Sequence, residues 1–153
     1  MVPFYESIIP GGYIGWGKST TLGSGMAFAM GAKLARPDKT AVNFMGDAAF
    51  GMVGMDFETA VRERIPILTI LMNNSRLGGY QGALPIASER YNLHVISGDY
   101  TKVAEGLGGY SERVELPHDI IPAIQRAKQA LASGQAALIE IITREEGDFS
   151  KYQ

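Results

Sequence analysis

The sequence predicts an α/β fold in which a parallel sheet carries helices on both faces. Two observations lead to this prediction: the presence of short apolar segments and the helical segments that separate them. Short apolar segments that read as buried strands alternate along the chain with segments of helical periodicity. Connections of that kind join parallel strands, and the helices then cover the sheet. A chain of 153 residues is long enough to bury a sizeable core, so residues 1–153 are expected to form a single domain.

The first half of the chain contains two predicted helices and two predicted strands. From Ser19 to Ala35 apolar residues recur at helical spacing, and "ARPDKT" then interrupts the pattern. "TAVNFMG" (40–46) is typical of a buried strand, and "GMDFETAVRER" (54–64) of a helix. The segment "ILTILMN" (67–73) follows a proline and is predicted to be the next strand.

The second half repeats this alternation after a loop-rich stretch, 74–98. A helix is predicted at about 99–107 and a strand at about 110–114. An amphipathic helix follows and ends at Gly134, since glycine commonly terminates helices. "AALIEIIT" (136–143) is predicted to be the last strand because it is rich in β-branched residues.

Composition excludes several classes of function. Apolar residues make up 46% of the chain and the net charge is −2, which leaves no electrostatic footprint for nucleic acid or for an anionic membrane. No apolar run approaches the roughly 20 residues that span a bilayer, and the first residues lack a signal-peptide pattern. The absence of cysteine removes disulfides and thiolate chemistry. A cytoplasmic protein is therefore expected.

The stretch "GGYIGWGKST" contains the G-x-x-x-x-G-K-[ST] pattern of nucleotide hydrolases in Gly12, Gly17, Lys18 and Ser19. A phosphate-binding loop of that class must follow a buried strand, because the strand fixes the direction of the loop's N–H groups. Upstream of Gly12 only Ile8 and Ile9 could form such a strand, and Pro10 follows them at once. A P-loop hydrolase is therefore the weaker interpretation of this stretch.

A second pattern predicts a Mg²⁺–diphosphate site. Asp47 ends one predicted strand, and Asn74 follows the next after one helix, so a right-handed crossover brings the two strand ends together. Carboxylate and carboxamide oxygens suit Mg²⁺, which takes its remaining ligands from phosphate and water. Gly46, Gly51 and Gly54 allow backbone N–H groups to approach a phosphate. The helix predicted to begin near Gly54 adds its positive end.

These motifs resemble those of a known family. "GDAAF" and "MNN" resemble the G-D-G…N-N signature of thiamine diphosphate enzymes. From "GGYIGWG" to "ALIEIIT" the chain is similar to the C-terminal, diphosphate-binding domain of the acetolactate synthase, pyruvate decarboxylase and benzoylformate decarboxylase group. The resemblance implies the thiamine diphosphate-binding fold. One residue departs from the pattern, because Ala48 stands where that group normally has glycine.

The resemblance also implies roles for individual residues. The Gly12 carbonyl would accept from the cofactor's amino group, Ile14 would support its bent conformation, and Tyr80 would face the substrate, so that Ile14 and Tyr80 are the implied catalytic contacts. The implied metal ligands are Asp47, the Asn74 side chain and the Arg76 carbonyl. The implied cofactor contacts are Gly12, Ile14, Gly46, Asp47, the backbone N–H groups of Ala48 and Ala49, Asn74 and Gly78.

What the chain lacks also follows from the resemblance. In this family a glutamate from a separate pyrimidine-binding domain activates the cofactor, and no acid of this chain is placed for that role. The chain is therefore expected to be the C-terminal part of a larger thiamine diphosphate-dependent lyase or transferase, or a small subunit, inactive alone and part of a homo-oligomer. Its substrates would be 2-oxo acids or aldehydes, which are decarboxylated or ligated. A noncatalytic assembly or regulatory module derived from this fold is the alternative.

Overall fold

A four-stranded parallel sheet forms the centre of the molecule in a computed structural model, in which the described residues are 5–15, 21–78 and 80–145. In chain order the strands are β1 (Ala41–Gly46), β2 (Ile67–Asn73), β3 (Tyr110–Val114) and β4 (Ala137–Ile142). Their order across the sheet is β1-β2-β4-β3, and each neighbouring pair is parallel. The predicted parallel α/β architecture is confirmed.

Seven α-helices connect or precede these strands within the described residues. They are α1 (Ser24–Ala35), α2 (Asp47–Val53), α3 (Asp56–Arg62), α4 (Tyr80–Ala83), α5 (Pro85–Tyr91), α6 (Tyr100–Gly106) and α7 (Ile120–Ala132). A 3₁₀ turn, Pro117–Asp119, leads into α7. None of the helices in these described ranges has the length and apolar character that crossing a lipid bilayer requires.

Each face of the sheet has its own core. On one face, helices α1, α2, α3 and α6 pack around Phe57, Leu71 and Leu138, which are all fully buried. On the other face α7 presents Ala123 and Ala127, whose small side chains let the helix approach the strands closely. Both cores are almost entirely aliphatic or aromatic, so burial of apolar surface is the main stabilising contribution. The prediction of helices on both faces is confirmed.

The strand register aligns the carboxyl ends of β1, β2 and β4. Gly46 lies opposite Met72, and Met72 lies opposite Ile141 in β4. Asp47 therefore follows β1 at the level where Asn73 ends β2. This common edge is where open parallel sheets bind their ligands.

The helices at this edge differ from the prediction. Helix α2, residues 47–53, is an element that the sequence analysis did not predict, and the helix predicted over 54–64 is the shorter α3. The "DAAF" segment is helical because its alanines favour helix and because Phe50 is buried in the core. The positive helix end at the sheet edge therefore belongs to α2, and not to a helix that begins near Gly54.

The predicted loop-rich stretch 74–98 contains the two short helices α4 and α5. Pro85 occupies the first turn of α5, where its missing N–H group has no intrahelical partner to lose. Residues Gly17, Lys18 and Ser19 of the hydrolase pattern lie outside the described residues, as does the predicted start of the first helix at Ser19. The described residues 5–15 contain no strand, in agreement with the argument against a P-loop.

Gly109 provides a test of the packing between α3 and the sheet. A Cβ atom at Gly109 would overlap the ring of Phe57 and would lie 3.2 Å from the carbonyl oxygen of Ala136. Because Phe57 is fully buried and cannot withdraw, Gly109→Ala should lower the free energy of unfolding by about 1–3 kcal/mol in urea denaturation.

The matched control is Gly106→Ala at the last residue of α6, where an added Cβ meets nothing within 4 Å. That substitution should be neutral or should stabilise by roughly 0.5 kcal/mol, because alanine is the better helix former. Equal unfolding free energies for the two variants would contradict the described packing.

Candidate functional site

A buried polar layer lies at the carboxyl ends of β1, β2 and β4. Asp47 and Asn73 are 3% and 4% exposed, and Glu140 is fully buried. Asn73 lies on the same face of β2 as Leu71, because side chains alternate along a strand, and this is the face covered by α1 and α6. Polar groups at this depth are costly unless they have partners. Their hydrogen bonds therefore show what this layer is built to hold.

Asn73 links the middle of the sheet to the turn that follows β2. Its Nδ2 atom donates to Oε1 of Glu140 at 2.6 Å. Its Oδ1 atom accepts from the N–H group of Ser75 at 2.9 Å and from the Ser75 hydroxyl at 3.1 Å. Ser75 has a φ of 55°, a left-handed conformation that a non-glycine residue adopts only when its surroundings enforce it. The Asn73 carboxamide supplies that enforcement.

The turn places two oxygen atoms that could bind a metal ion on one side of the chain. Segment 75–77 pairs with 94–96 through hydrogen bonds of 3.1 and 2.9 Å, with Arg76 directly opposite Val95. In a pair of this geometry the N–H and carbonyl groups of both central residues point away from the partner strand. The Arg76 N–H group donates to Asn74 Oδ1 at 3.0 Å. The Arg76 carbonyl therefore points toward the side where the Asn74 carboxamide lies.

Asp47 brings a buried carboxylate to the same edge. Its Oδ1 atom accepts from the N–H group of Ala48 at 3.0 Å, whereas Oδ2 is buried and has no hydrogen-bond partner among the described residues. Burying a charged oxygen without a partner costs several kcal/mol or more unless a cation compensates it. The Asp47 carboxylate is therefore arranged for a positive ligand.

Helix α2 begins at Asp47, directly beyond the extended residue Gly46. The first N–H groups of a helix lack intrahelical partners and carry its partial positive charge. Ala48 and Ala49 lie in this first turn, so their backbone can face an anion. Ala48 has a helical conformation and not a positive φ, so alanine in place of the family's glycine requires no backbone strain.

Tyr100 of α6 closes the layer from the helix side. Its ring meets Phe50 edge to face, with ring centroids 5.6 Å apart. Burial, followed by the negative charges of Asp47 and Glu140, raises the pKa of the Tyr100 hydroxyl above its usual value. The phenol therefore stays neutral at physiological pH and can donate its proton within the acidic layer.

The available donors fit a hard divalent cation. They comprise an unpartnered carboxylate oxygen on Asp47, a carboxamide oxygen on Asn74 with a second lone pair, and the Arg76 carbonyl. Mg²⁺ favours such oxygen ligands and completes its shell with phosphate and water. The described residues contain no cluster of three or more His, Cys, Asp or Glu side chains, so a histidine-rich or carboxylate-rich metal centre has no support in this part of the chain.

The described hydrogen bonds of Gly12 in the first loop are local. The carbonyl of Gly12 accepts from the Tyr5 hydroxyl at 3.1 Å, and its N–H group donates to the Ile9 carbonyl at 3.0 Å. Ile14 is 56% exposed, which excludes a role as an ordinary core residue of the chain. The roles of Gly12 and Ile14 toward the organic part of a cofactor stay predictions.

The other predicted residues cluster at the edge with one exception. Gly46, Asp47, Ala48, Ala49, Asn74 and Arg76 lie at the ends of β1 and β2, and exposed Gly78 follows the 75–77 segment. Tyr80 begins α4, but its side chain lies outside the described part of the structure.

Sequence reasoning missed the roles of Asn73, Glu140 and Tyr100. The available signal for Glu140 was a charged residue inside the apolar strand "AALIEIIT". Asn73 could have been found from the alternation of β2, which turns its side chain inward with Leu71. For Tyr100 the sequence carried no comparable signal.

Comparisons with known proteins show the family of this chain. Residues 1–141 match the family described as "Thiamine pyrophosphate enzyme, C-terminal TPP binding domain". A probable acetolactate synthase of Mycobacterium bovis is 34% identical over 145 residues, which cover 90% of this chain and 25% of that protein. The 2-hydroxyacyl-CoA lyase 2 of Bos taurus is 31% identical over 141 residues, which cover 87% of this chain and 22% of the lyase.

A solved structure is also similar. The thiamine diphosphate-dependent 4-hydroxybenzoylformate decarboxylase of Rhodococcus jostii RHA1 superposes with a TM-score of 0.68 at 30% identity, over 83% of this chain and 24% of the decarboxylase. The chain thus spans about a quarter of the length of these relatives.

The unpartnered carboxylate of Asp47 can be tested in metal-free buffer. Asp47→Asn removes a buried charge while keeping an oxygen that can accept from Ala48, so it should raise the free energy of unfolding by roughly 1 kcal/mol. Thermal unfolding is measured by calorimetry in the presence of a chelator. Asp38→Asn is the matched control, since Asp38 is an exposed carboxylate, and its effect should stay within about 0.5 kcal/mol. A destabilised Asp47→Asn variant would contradict the description of this carboxylate.

Proposed function

This chain belongs to the thiamine pyrophosphate enzyme family, whose C-terminal cofactor-binding domain it matches over residues 1–141, and from that premise we propose where and how it holds the cofactor. Thiamine pyrophosphate, here called thiamine diphosphate, would bind through Mg²⁺ at the carboxyl ends of β1 and β2. The observation that carries the proposal is the Oδ2 atom of Asp47, which is buried and has no described hydrogen-bond partner. Asp47 follows β1 at the level where β2 ends.

Three oxygens of this chain would hold the ion. They are Asp47 Oδ2, Asn74 Oδ1 and the Arg76 carbonyl, all at the same edge of the sheet. A cation at Oδ2 would compensate the buried charge of Asp47, which no described residue does. With Mg²⁺ bound to these oxygens, the edge would carry the positive charge that a diphosphate needs.

The first turn of α2 would bind the diphosphate directly. The Ala49 N–H group and the positive end of the helix favour an anion at that position, and the Ala48 N–H group, which also donates to Asp47 Oδ1, lies in the same turn. Gly46 directly precedes α2 in the chain and Gly78 follows the 75–77 segment, and neither has a side chain that would hinder close approach to the backbone. Gly12 and Ile14 would contact the organic rings, and Tyr80 would face the substrate.

The proposed activity is that of the longer proteins this chain resembles. Their names describe an acetolactate synthase, a 2-hydroxyacyl-CoA lyase and a 4-hydroxybenzoylformate decarboxylase. Thiamine diphosphate supplies a carbon nucleophile and an electron sink for such substrates. We therefore propose that the chain serves the decarboxylation or ligation of 2-oxo acids. A pyrimidine-binding domain, in a homo-oligomer, would supply the activating glutamate.

A noncatalytic assembly module is the second candidate. Such a module would need the two apolar cores and the parallel sheet, but it would gain nothing from a buried carboxylate oxygen without a partner. Replacing buried charges by apolar residues is often neutral or stabilising. The presence of Asp47 in this position therefore favours the cofactor-binding role.

Calorimetric titration tests the binding site. Thiamine diphosphate should bind the chain in the presence of Mg²⁺ and should not bind measurably in the presence of a chelator. Asp47→Ala and Asn74→Ala each remove one proposed ligand and should weaken Mg²⁺-dependent binding by at least about 10- to 100-fold.

The matched control is Asp56→Ala, which removes an exposed carboxylate from the first turn of α3 and should leave the affinity unchanged. Binding that is independent of Mg²⁺, or equal affinities of the Asp47 and Asp56 variants, would contradict the proposed ligand set. Absence of binding by the unsubstituted chain would favour the assembly module.

Turnover by the chain alone tests the need for a separate glutamate. Asp47 is proposed to bind the metal, and Glu140 is fully buried and already accepts from Asn73, so neither is free to activate the cofactor. The chain with saturating Mg²⁺ and thiamine diphosphate should therefore release no CO₂ from pyruvate or benzoylformate above the protein-free rate. Sustained release at enzyme-like rates would show that an acid of this chain suffices.

A further inference from the structure

Glu140 is a buried acid that the proposed ligand set does not use. We propose that Glu140 is a positioning residue, which orients the Asn73 carboxamide and so holds the turn that carries Asn74 and Arg76 in its ion-binding shape. The inference rests on the proposed Mg²⁺ site and adds to it a residue from β4, the strand on the far side of β2 from Asp47.

Fold stability gives no reason for a carboxylate at this position. Glu140 lies opposite Leu71 in β2 and is fully buried, and its Oε2 atom has no hydrogen-bond partner among the described residues. The cation opposite it in β3, Arg113, has a side chain that is 42% exposed and bonds to Glu115 at 3.1 Å. An apolar side chain of the same size would pack there at lower cost. The carboxylate therefore points to a role that an apolar residue cannot fill.

The hydrogen bond from Asn73 determines which way its carboxamide faces. A carboxylate can only accept, so the Asn73 amide group must turn its Nδ2 atom toward Glu140. Its Oδ1 atom is then directed to Ser75, where it accepts from both the N–H and the hydroxyl group. If the carboxamide were reversed, its oxygen would face the Glu140 carboxylate, and its NH₂ group would face the Ser75 N–H group.

Ser75 connects this orientation to the ion-binding oxygens. Ser75 lies between Asn74 and Arg76 in the chain. The two hydrogen bonds that Asn73 Oδ1 accepts from Ser75 hold its backbone in the strained left-handed conformation. Loss of these bonds would let the turn relax toward ordinary dihedral angles. The oxygens on either side of Ser75 would then move apart, and Mg²⁺ tolerates little departure from octahedral geometry.

Two substitutions at Glu140 separate positioning from direct ligation and from packing. Glu140→Met keeps the volume and removes the acceptor, so Mg²⁺-dependent binding of thiamine diphosphate should weaken by about 10- to 100-fold, the range typical for residues that orient metal ligands. The unfolding free energy should not fall in parallel, because a buried charge is also removed. Glu140→Gln keeps an acceptor for Asn73 Nδ2 and should bind within about threefold of the unsubstituted chain.

An ion-independent measurement accompanies the titrations. The Ser75 N–H group is protected by its bond to Asn73 Oδ1, so its hydrogen exchange, followed by NMR without Mg²⁺, should accelerate in Glu140→Met and not in Glu140→Gln. The control is Ile139→Val, the adjacent buried residue of β4 on the opposite face, which should change neither Ser75 exchange nor ion-dependent binding. In an Asn73→Ala background, Glu140→Met should cause no further loss of binding.

Each outcome is informative. Faster Ser75 exchange and weaker binding in Glu140→Met, both restored in Glu140→Gln, support the inference. Equal losses of binding in both Glu140 variants would show that the charge itself binds the ion. Unchanged Ser75 exchange would show that Glu140 does not hold the turn. Either result overturns the inference and leaves the proposed Mg²⁺ site intact. Absence of Mg²⁺-dependent binding by the unsubstituted chain overturns the proposed function, and the inference with it.

Discussion

Parallel pairing of β1 with β2 is the constraint on which the candidate site depends. Because Gly46 lies opposite Met72, the chain leaves both strands at the same edge and at nearly the same level. The backbone hydrogen bonds of this pair bring Asp47 and the turn after Asn73 to the same edge. A shift of one residue in this register would turn every side chain of one strand to the other face, and the buried carboxylate would lose its place beside the turn.

The site is built into the core of the sheet, where a polar layer is costly. Glu140, Asn73 and Asp47 are all buried, and one carboxylate oxygen of Glu140 and one of Asp47 have no described hydrogen-bond partner. Low polarity strengthens every charge interaction that a bound cation would make there. Tyr100 adds a neutral phenol on the helix side of this layer, and its ring is itself buried.

Local sequence predicted the strands well and the segment around Asp47 poorly. The strands at 67–73 and 110–114 agree to the residue. The first is a central strand whose residues are nearly all buried, and such strands are near-continuous apolar runs. Helix α2 was not predicted, and burial of Phe50 stabilises it although it contains Gly51. Propensity is a weak determinant, and tertiary packing overrides it in a helix of only seven residues.

The sequence by itself determined the fold class, the family resemblance and the proposed ligand residues Asp47 and Asn74, because all of these are carried by residue type and by spacing along the chain. Only the tertiary structure decided how the site is supported. Asn73 and Glu140 are 67 residues apart and meet because β2 and β4 are neighbours in the sheet. No local pattern encodes that contact, since strand order depends on how the helices pack over both faces and not on any one segment.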